Sequence, residues 1–587
     1  MDQGRDSLRV RLAKVNSLSF EITEEQALVV NRSSLNTLLF CLCFFAAYGN
    51  ATSEPTKSHA ILVPGSGEYS RPLVNLASQA QPYFDQGLRL AWAFYFPESI
   101  ASYREASRID PTHPMPYWGI AHAAGPNPNS RYAQMPDDPN GIGKAAINTA
   151  LSYIERAGEV ESELIQALAI FYDDTEIPDP AARDRAYLAA MRNLNQRYPL
   201  DPDIAALYAA SYMSIRRWDY WASTGEPKGE TLQVAEALEK VIESDQGHPG
   251  VLHLHIHLIE ASRRPERAMV SANALEATVP IAGHVVHMPA HIFIRVGDYE
   301  RAIASNRRSL AVDKEFAAIW GDRPLPNKGT YNLSHRVHAG HALDFIRFAA
   351  TMQGNFATAN ASAWEMANQI SPAAATMGRA QKRRAAPWLV LKIFGRWDDL
   401  LALAPPEKTT PYLSGIWSYV QGSAWLAKGE FESARAELAT LESLATESSS
   451  EGNRAGATAT TEILALAAYG LRGEIQLAMG DLKGAIGSFE AGVAVEDTNN
   501  YTEPPDWPQS MRLYLGSALL RAGRFEAAQK VFERDLEWNQ NNGWALFGLA
   551  QALRAQNQSE AAEVTATQWQ KAWASADLEL NQAVVLD

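Results

Sequence analysis

The chain has 587 residues, 46% hydrophobic and 20% charged, with 67 acidic against 52 basic side chains and a net charge of −15. That length exceeds one ordinary compact domain, so several domains or an elongated repeat are expected, and the hydrophobic share excludes wholesale disorder. The acidic balance supplies no global basic footprint for nucleic acid or an anionic membrane.

The first element is the apolar run Leu38 to Tyr48, which contains both cysteines, Cys41 and Cys43. It has the length of a signal-peptide core and is too short to span a bilayer. Gly49 and Ala51 are small and spaced for cleavage before Thr52. Residues 1–51 are therefore expected to be a signal peptide with an over-extended start, the true start lying near Val29 or Val30 with Arg32 as the basic flank. The alternatives are a buried apolar segment or an uncleaved anchor. Cleavage would make the protein exported, periplasmic or secreted, with no stable membrane span. It would also remove every cysteine, and with them disulfides and thiolate metal ligands. The five acidic and five basic residues of 1–51 cancel, so the net charge would not change.

From residue 80 onward the chain repeats itself. Gly87, Tyr103, Ala106 and Pro111 hold the spacing of a tetratricopeptide repeat, and Tyr83 and Tyr117 stand one 34-residue period apart. Gly473, Gly480, Ala485 and Phe489 hold the same offsets, as do Gly516, Gly523, Ala528 and Phe532, and a further unit opens at Trp544 and Gly548. Small residues let paired helices approach, large ones fill the gap between them, and a glycine ends the first helix of each pair. Stacked pairs give an all-α superhelix, a tetratricopeptide-type α-solenoid with a concave groove. Four segments break the period: 125–143, 218–229, 320–332 and 501–509, the last non-helical through its prolines. Such loops either roof the groove or serve as surface linkers. The polar run 446–460 is expected to be a flexible hinge between a repeat block at 52–445 and a C-terminal block at 461–587.

The histidines carry the functional signal. Ten of the thirteen lie between His248 and His341, and they are phased with the repeat. Fifteen and eleven residues before Ala268 stand His253 and His257; the same offsets from Ala302 give His287 and His291. From Ala359 they give Asp344 and Phe348, while His284 and His341 stand eighteen residues before Ala302 and Ala359. Three successive first helices thus present histidine or aspartate at equivalent places, and residues three and four apart share one helix face. Imidazoles at i and i+4 can reach one ion. His253, His257, His284, His287, His291, His341 and Asp344 are the candidate ligands, and nitrogen and oxygen donors without thiolate suit zinc, copper, iron or manganese. Glu260 is a candidate to orient a ligating histidine from behind or to act as a base. His255 and His338 are expected to be satisfied in helix packing, and Met288 to be core. Two other readings of the cluster remain, packing histidines throughout or a site for an anionic or peptide ligand. Trp92, Trp118, Trp218 and Trp221 fit either a groove floor or ordinary packing.

The stretches HPGVLHLHIHLIEAS (248–262), AGHVVHMPAHIFIRVGDYERAI (282–303) and the long run opening EPPDWPQSMRLYLGSALL at 503 resemble a large family of bacterial tetratricopeptide repeat proteins, as does PYWGIAHAAGPNPN (116–129). The resemblance covers most of residues 80–560. Its matching positions are His248, His253, His257, His284, His287, His291, Glu503, Pro504, Pro505, Asp506 and Trp507. Such proteins tend to read His-Asn-x-His-Phe where this chain has HALDF (341–345), so Asp344 replaces a histidine. The resemblance implies a fold and a candidate site but no reaction.

Neither a phosphate-binding GxxxxGK[ST] loop nor a GxSxG elbow occurs. The leading expectation is an exported groove-binding protein whose His-rich pocket holds one or two divalent metals, with a peptide, protein or small molecule as groove ligand. A metal-dependent hydrolase or oxidase on the same site and a metal-free interaction scaffold are the alternatives.

Overall fold

The computed structural model describes residues 59–125, 139–323, 335–371, 374–376, 378–407, 409–447 and 458–586. The expected signal peptide lies outside the described residues, as does most of the expected hinge. The helices flanking that hinge, Phe431–Glu447 and Thr460–Ala478, pack on each other within the single unit His59–Asp587. No described helix is long and apolar enough to cross a membrane.

Among the described residues the architecture is helical throughout, with one isolated bridge between Trp221 and Pro227. Successive helices pack on one another along the chain, and the glycine–aromatic spacing explains how. A Cβ on Gly87 would fall 2.7 Å from the ring of Tyr103, and one on Gly119 would fall 2.5 Å from it. The same wedge recurs at Phe532, whose ring would meet a Cβ on Gly516 at 2.4 Å and on Gly548 at 2.3 Å. One large side chain of a second helix is thus seated between the glycines of the first helices on either side. That is the small-against-large packing expected of the repeat.

The C-terminal repeats return onto the middle of the chain. Trp544 donates its indole N–H to the carbonyl of Thr351 at 2.8 Å, and Tyr299 donates to that of Gln540 at 2.8 Å. The Asp577 carboxylate accepts from the backbone N–H groups of Phe356 and Ala357 at 2.6 and 2.8 Å. The Asp577 carboxylate thereby satisfies orphan donors of the helix Phe356–Asn368. The fold therefore encloses the His-bearing helices between two sets of repeats, and this enclosure is why the histidines are buried.

Candidate metal centre

Three successive first helices bear the histidines. The helix Pro249–Ile259 is capped by His248, whose Nδ1 accepts from Val251 N at 3.0 Å while its Nε2 meets Asp203 at 2.9 Å. This explains the HPG motif as a cap tied to the Arg71–Asp203 ion pair, not as a ligand. The next helix is divided at Pro289 into Gly283–His287 and Pro289–Arg295, and the third is His335–Met352.

His253, His257, His284, His287 and His291 are buried, and His341 is half-buried. Their ligand atoms gather in triads lying within 4.8 Å of one another: His253, His257 and His284; His287, His291 and His341; and, between these, His257, Glu260 and His291. His255, two residues from His253 and His257, points elsewhere and contacts Ser271 and Glu239 at 2.8 and 3.3 Å, as helical geometry requires. Met288 is core. The side chain of His338 lies outside the described residues.

Asp344, the remaining expected ligand, stands apart from the histidine triads. Its carboxylate accepts from Arg347 at 2.7 Å and pairs with Lys382 at 3.4 Å, and these cations hold it ionised, down to about 2 despite burial. It belongs to none of the triads. A carboxylate already neutralised by two cations is a poor partner for a third. The carboxylate that does join the cluster is Glu260, whose Oε1 and Oε2 accept from His257 Nδ1 at 3.1 Å and His291 Nδ1 at 2.5 Å. These imidazoles draw Glu260 down to about 2 although desolvation opposes it.

The ring tautomers follow from the Nδ1 partners. His253 Nδ1 faces the carbonyl of Trp92 at 2.6 Å, which can only accept, so this nitrogen carries the proton. His287 Nδ1 faces Asn306 Oδ1 at 2.7 Å, and the Asn306 amide nitrogen is spent on the Ala302 carbonyl, which fixes the amide orientation. With Nδ1 of His287 and of His291 both donating, their Nε2 atoms turn lone pairs toward each other at 2.9 Å. Two lone pairs at that separation repel unless a cation, proton or metal, lies between them. His257 Nε2 is buried with no hydrogen-bond partner, an expense of about 1–3 kcal/mol if nothing binds it. Metal-bound histidines are held by acceptors on their second nitrogen in this way. The residues therefore fit a transition ion through Nε2.

Burial lowers the affinity of His253 and His257 for protons, and the neighbouring imidazoles add to the effect. His291 goes the other way, raised by Glu260 against desolvation. Burial likewise pushes Glu503, which feels Glu260 and His291, up to about 7.

Two loops cover the cluster. Trp218, from the loop at 218–229, lies 5.0 Å from the His257 ring, and Trp221 donates to the Leu258 carbonyl at 2.6 Å. Tyr501, which opens the Pro-rich loop, donates to Glu260 at 3.3 Å. The loops 125–143 and 320–332 lie largely outside the described residues. Sequence reasoning did not find Phe94, whose ring is 4.4 Å from His253 and 5.4 Å from His284, nor Asn306 or the Trp92 carbonyl. Only Phe94 left a signal, since it stands where other repeats have glycine.

A sequence model of the tetratricopeptide repeat matches residues 519–572, and the packing above gives the described residues an all-α helical-repeat fold of that type. No curated protein matches it in sequence. Among solved structures, the APC/C hetero-tetramer Cut9-Hcn1 is similar at 12% identity over 88% of this chain and 77% of that one, with a TM-score of 0.26. The human IFIT1 dimer with m7Gppp-AAAA is similar at 10% identity over 74% and 86%, with a TM-score of 0.30. At such scores neither neighbour bears on ligand or partner.

Proposed function

We propose that this is an exported tetratricopeptide-repeat binding protein whose enclosed His-rich centre holds a divalent transition metal. The observation that carries the reading is the Nε2–Nε2 approach of His287 and His291 at 2.9 Å with both Nδ1 atoms committed to acceptors. A neutral pair would be repulsive there, and His257 adds a buried nitrogen without a partner. Neutral imidazole without thiolate suits zinc or copper best, then iron. Elemental analysis of protein purified from cells grown with the common transition ions tests the reading. Stoichiometric metal is expected; protein that stays metal-free after equilibration with each ion refutes it and leaves a shared proton as the cation.

A second reading, a metal-dependent hydrolase or oxidase, is favoured by the three-histidine composition of the sites. Structural zinc sites are closed by four protein ligands, whereas catalytic ones keep a position open. Glu503, a buried carboxyl raised toward neutrality beside His291 and Glu260, would be the proton-transferring group. Hydrolytic or oxidative turnover that disappears in Glu503→Gln with metal content unchanged would establish it. Export is tested by sequencing the native N-terminus, expected close to Thr52.

A further inference from the structure

We infer that the cluster is two adjoining three-histidine sites, each taking its own ion of the zinc or copper class, joined by the Glu260 carboxylate. This rests on the metal-binding reading above and goes beyond it in stoichiometry and in the division of ligands.

The first argument is reach. Metal–nitrogen bonds of about 2.0–2.1 Å put any two ligands of one ion within roughly 4.2 Å of each other. The six histidines do not meet even a looser limit together. Among the described residues, the sets whose ligand atoms lie within 4.8 Å of one another are triads, and no larger set qualifies. His253, His257 and His284 make one, and His287, His291 and His341 make another with no member in common. His253 and His284 approach to 3.1 Å within one triad, and His287 and His291 to 2.9 Å within the other. One ion could satisfy either set but not both.

The second argument excludes the third triad, His257, Glu260 and His291, as an ion site of its own. Glu260 Oε1 and Oε2 each accept from an imidazole Nδ1, and Oε2 also accepts from Tyr501. The histidines meet this carboxylate through Nδ1, the nitrogen opposite to the Nε2 that His291 turns toward His287 and that His257 buries without a hydrogen-bond partner. An ion placed there would have to break those hydrogen bonds and leave a buried carboxylate to be re-solvated. Glu260 is instead a bridge, fixing one ligand of each site through its two oxygens. With Glu260 and Asp344 both committed elsewhere, each site has imidazole donors alone. That favours zinc or copper over manganese, magnesium or calcium, which prefer oxygen.

The test is saturation of the full chain with Zn(II) alone and with Cu(II) alone, each followed by removal of weakly held ion and counting by native mass spectrometry. Two ions per chain are expected. His253→Ala with His284→Ala, and separately His287→Ala with His291→Ala, should each lower the count from two to one, with circular dichroism reporting retained helix. A plateau of one ion in the unsubstituted chain overturns the two-site assignment while leaving the metal-binding reading standing; zero ions removes both. Two ions that persist when both pairs are substituted together would locate them elsewhere and also overturn it. Should either double variant fail to fold, the count on the unsubstituted chain decides the matter.

Discussion

The ring of Phe94 lies 4.4 Å from that of His253, and Phe94 reaches it from a left-handed backbone at φ 63°. The corresponding turns at Gly480 and Gly523 have φ of 81° and 70° and carry glycine, for which that conformation costs nothing. A bulky aromatic there stores strain of about 1–3 kcal/mol, which persists only when its surroundings over-determine it. Here the surroundings are three imidazoles, since Phe94 also packs on His257 and His284.

Removing the ring should therefore cost more than relieving the strain regains. Phe94→Ala is expected to lose about 3–5 kcal/mol of stability, as for any buried phenylalanine. Phe94→Gly should be more stable than Phe94→Ala by about 1 kcal/mol, the reverse of the usual order, because glycine alone accepts the left-handed turn. Denaturant unfolding of both variants checks this, and equal stabilities would mean that the turn relaxes. Both variants should also hold metal more weakly, by loss of the wall that packs the first triad.

Acid should destabilise the metal-free protein. His122 is lowered to about 4 by burial, and burial likewise lowers His255, His253 and His257. In the unfolded chain these rings take up protons near pH 6.5; in the folded chain they do so only at lower pH. Between those limits the unfolded state binds more protons, so stability falls as pH drops below about 6.5. His291 opposes this, since its raised value contributes stability at low pH that is lost as pH rises through it. Glu98, Glu496 and Glu503, each pushed up to about 7 by burial, oppose it in the same way, so the two sets offset each other between about pH 7 and pH 4.5. Below about pH 4.5 Glu239, Glu260 and Asp344, each drawn down to about 2, add to the loss, so the melting temperature of chelated protein is expected to fall there, while the metal-loaded protein should in addition release its metal. An apo-protein melting temperature that rises below about pH 4.5 would contradict this assignment of ionised, paired carboxylates.

Glu260→Gln tests the bridge. An amide can accept from one Nδ1–H but presents N–H to the other, so one of His257 and His291 loses its acceptor. Losing such an outer partner typically costs about 10–100-fold in metal affinity. Competition against a chelator should show that loss in one site and a smaller one in its neighbour. Unchanged affinity in both would make Glu260 a bystander.

The repeat offsets alone placed Gly87, Gly473 and Gly516 against Tyr103, Phe489 and Phe532, because packing of small on large is local in sequence and periodic. The histidine phase placed six rings in one cluster for the same reason. Asp344 pairs with Arg347, three residues along its own helix and visible in the sequence, and with Lys382 of another helix, which offsets within one repeat do not reveal. Burial of the cluster was likewise not legible. A groove-facing histidine should contribute little to stability, but the return of the C-terminal repeats onto Thr351 and Gln540 encloses the groove. Substituting His287 and His291 should thus cost stability as well as metal, since Asn306 and Glu260 lose partners.

Phe532 offers the sharpest test of the packing. Its ring is buried between Gly516 and Gly548, where an added methyl would lie 2.4 and 2.3 Å from it. Neither glycine needs a left-handed backbone, both being inside helices, so alanine's better helix propensity would by itself stabilise by about 1 kcal/mol. The clash should win. Gly516→Ala is expected to destabilise by about 1–3 kcal/mol, the usual cost of overpacking. Phe532→Leu loses apolar contact but opens room for the methyl group, so adding it to Gly516→Ala should cost less than the sum of the two single changes. A coupling energy of about 0.5–3 kcal/mol in that double-mutant cycle is the expected result. Strict additivity would mean that ring and glycine are not in contact, and the helical repeat would have to be redrawn from its most regular unit outward.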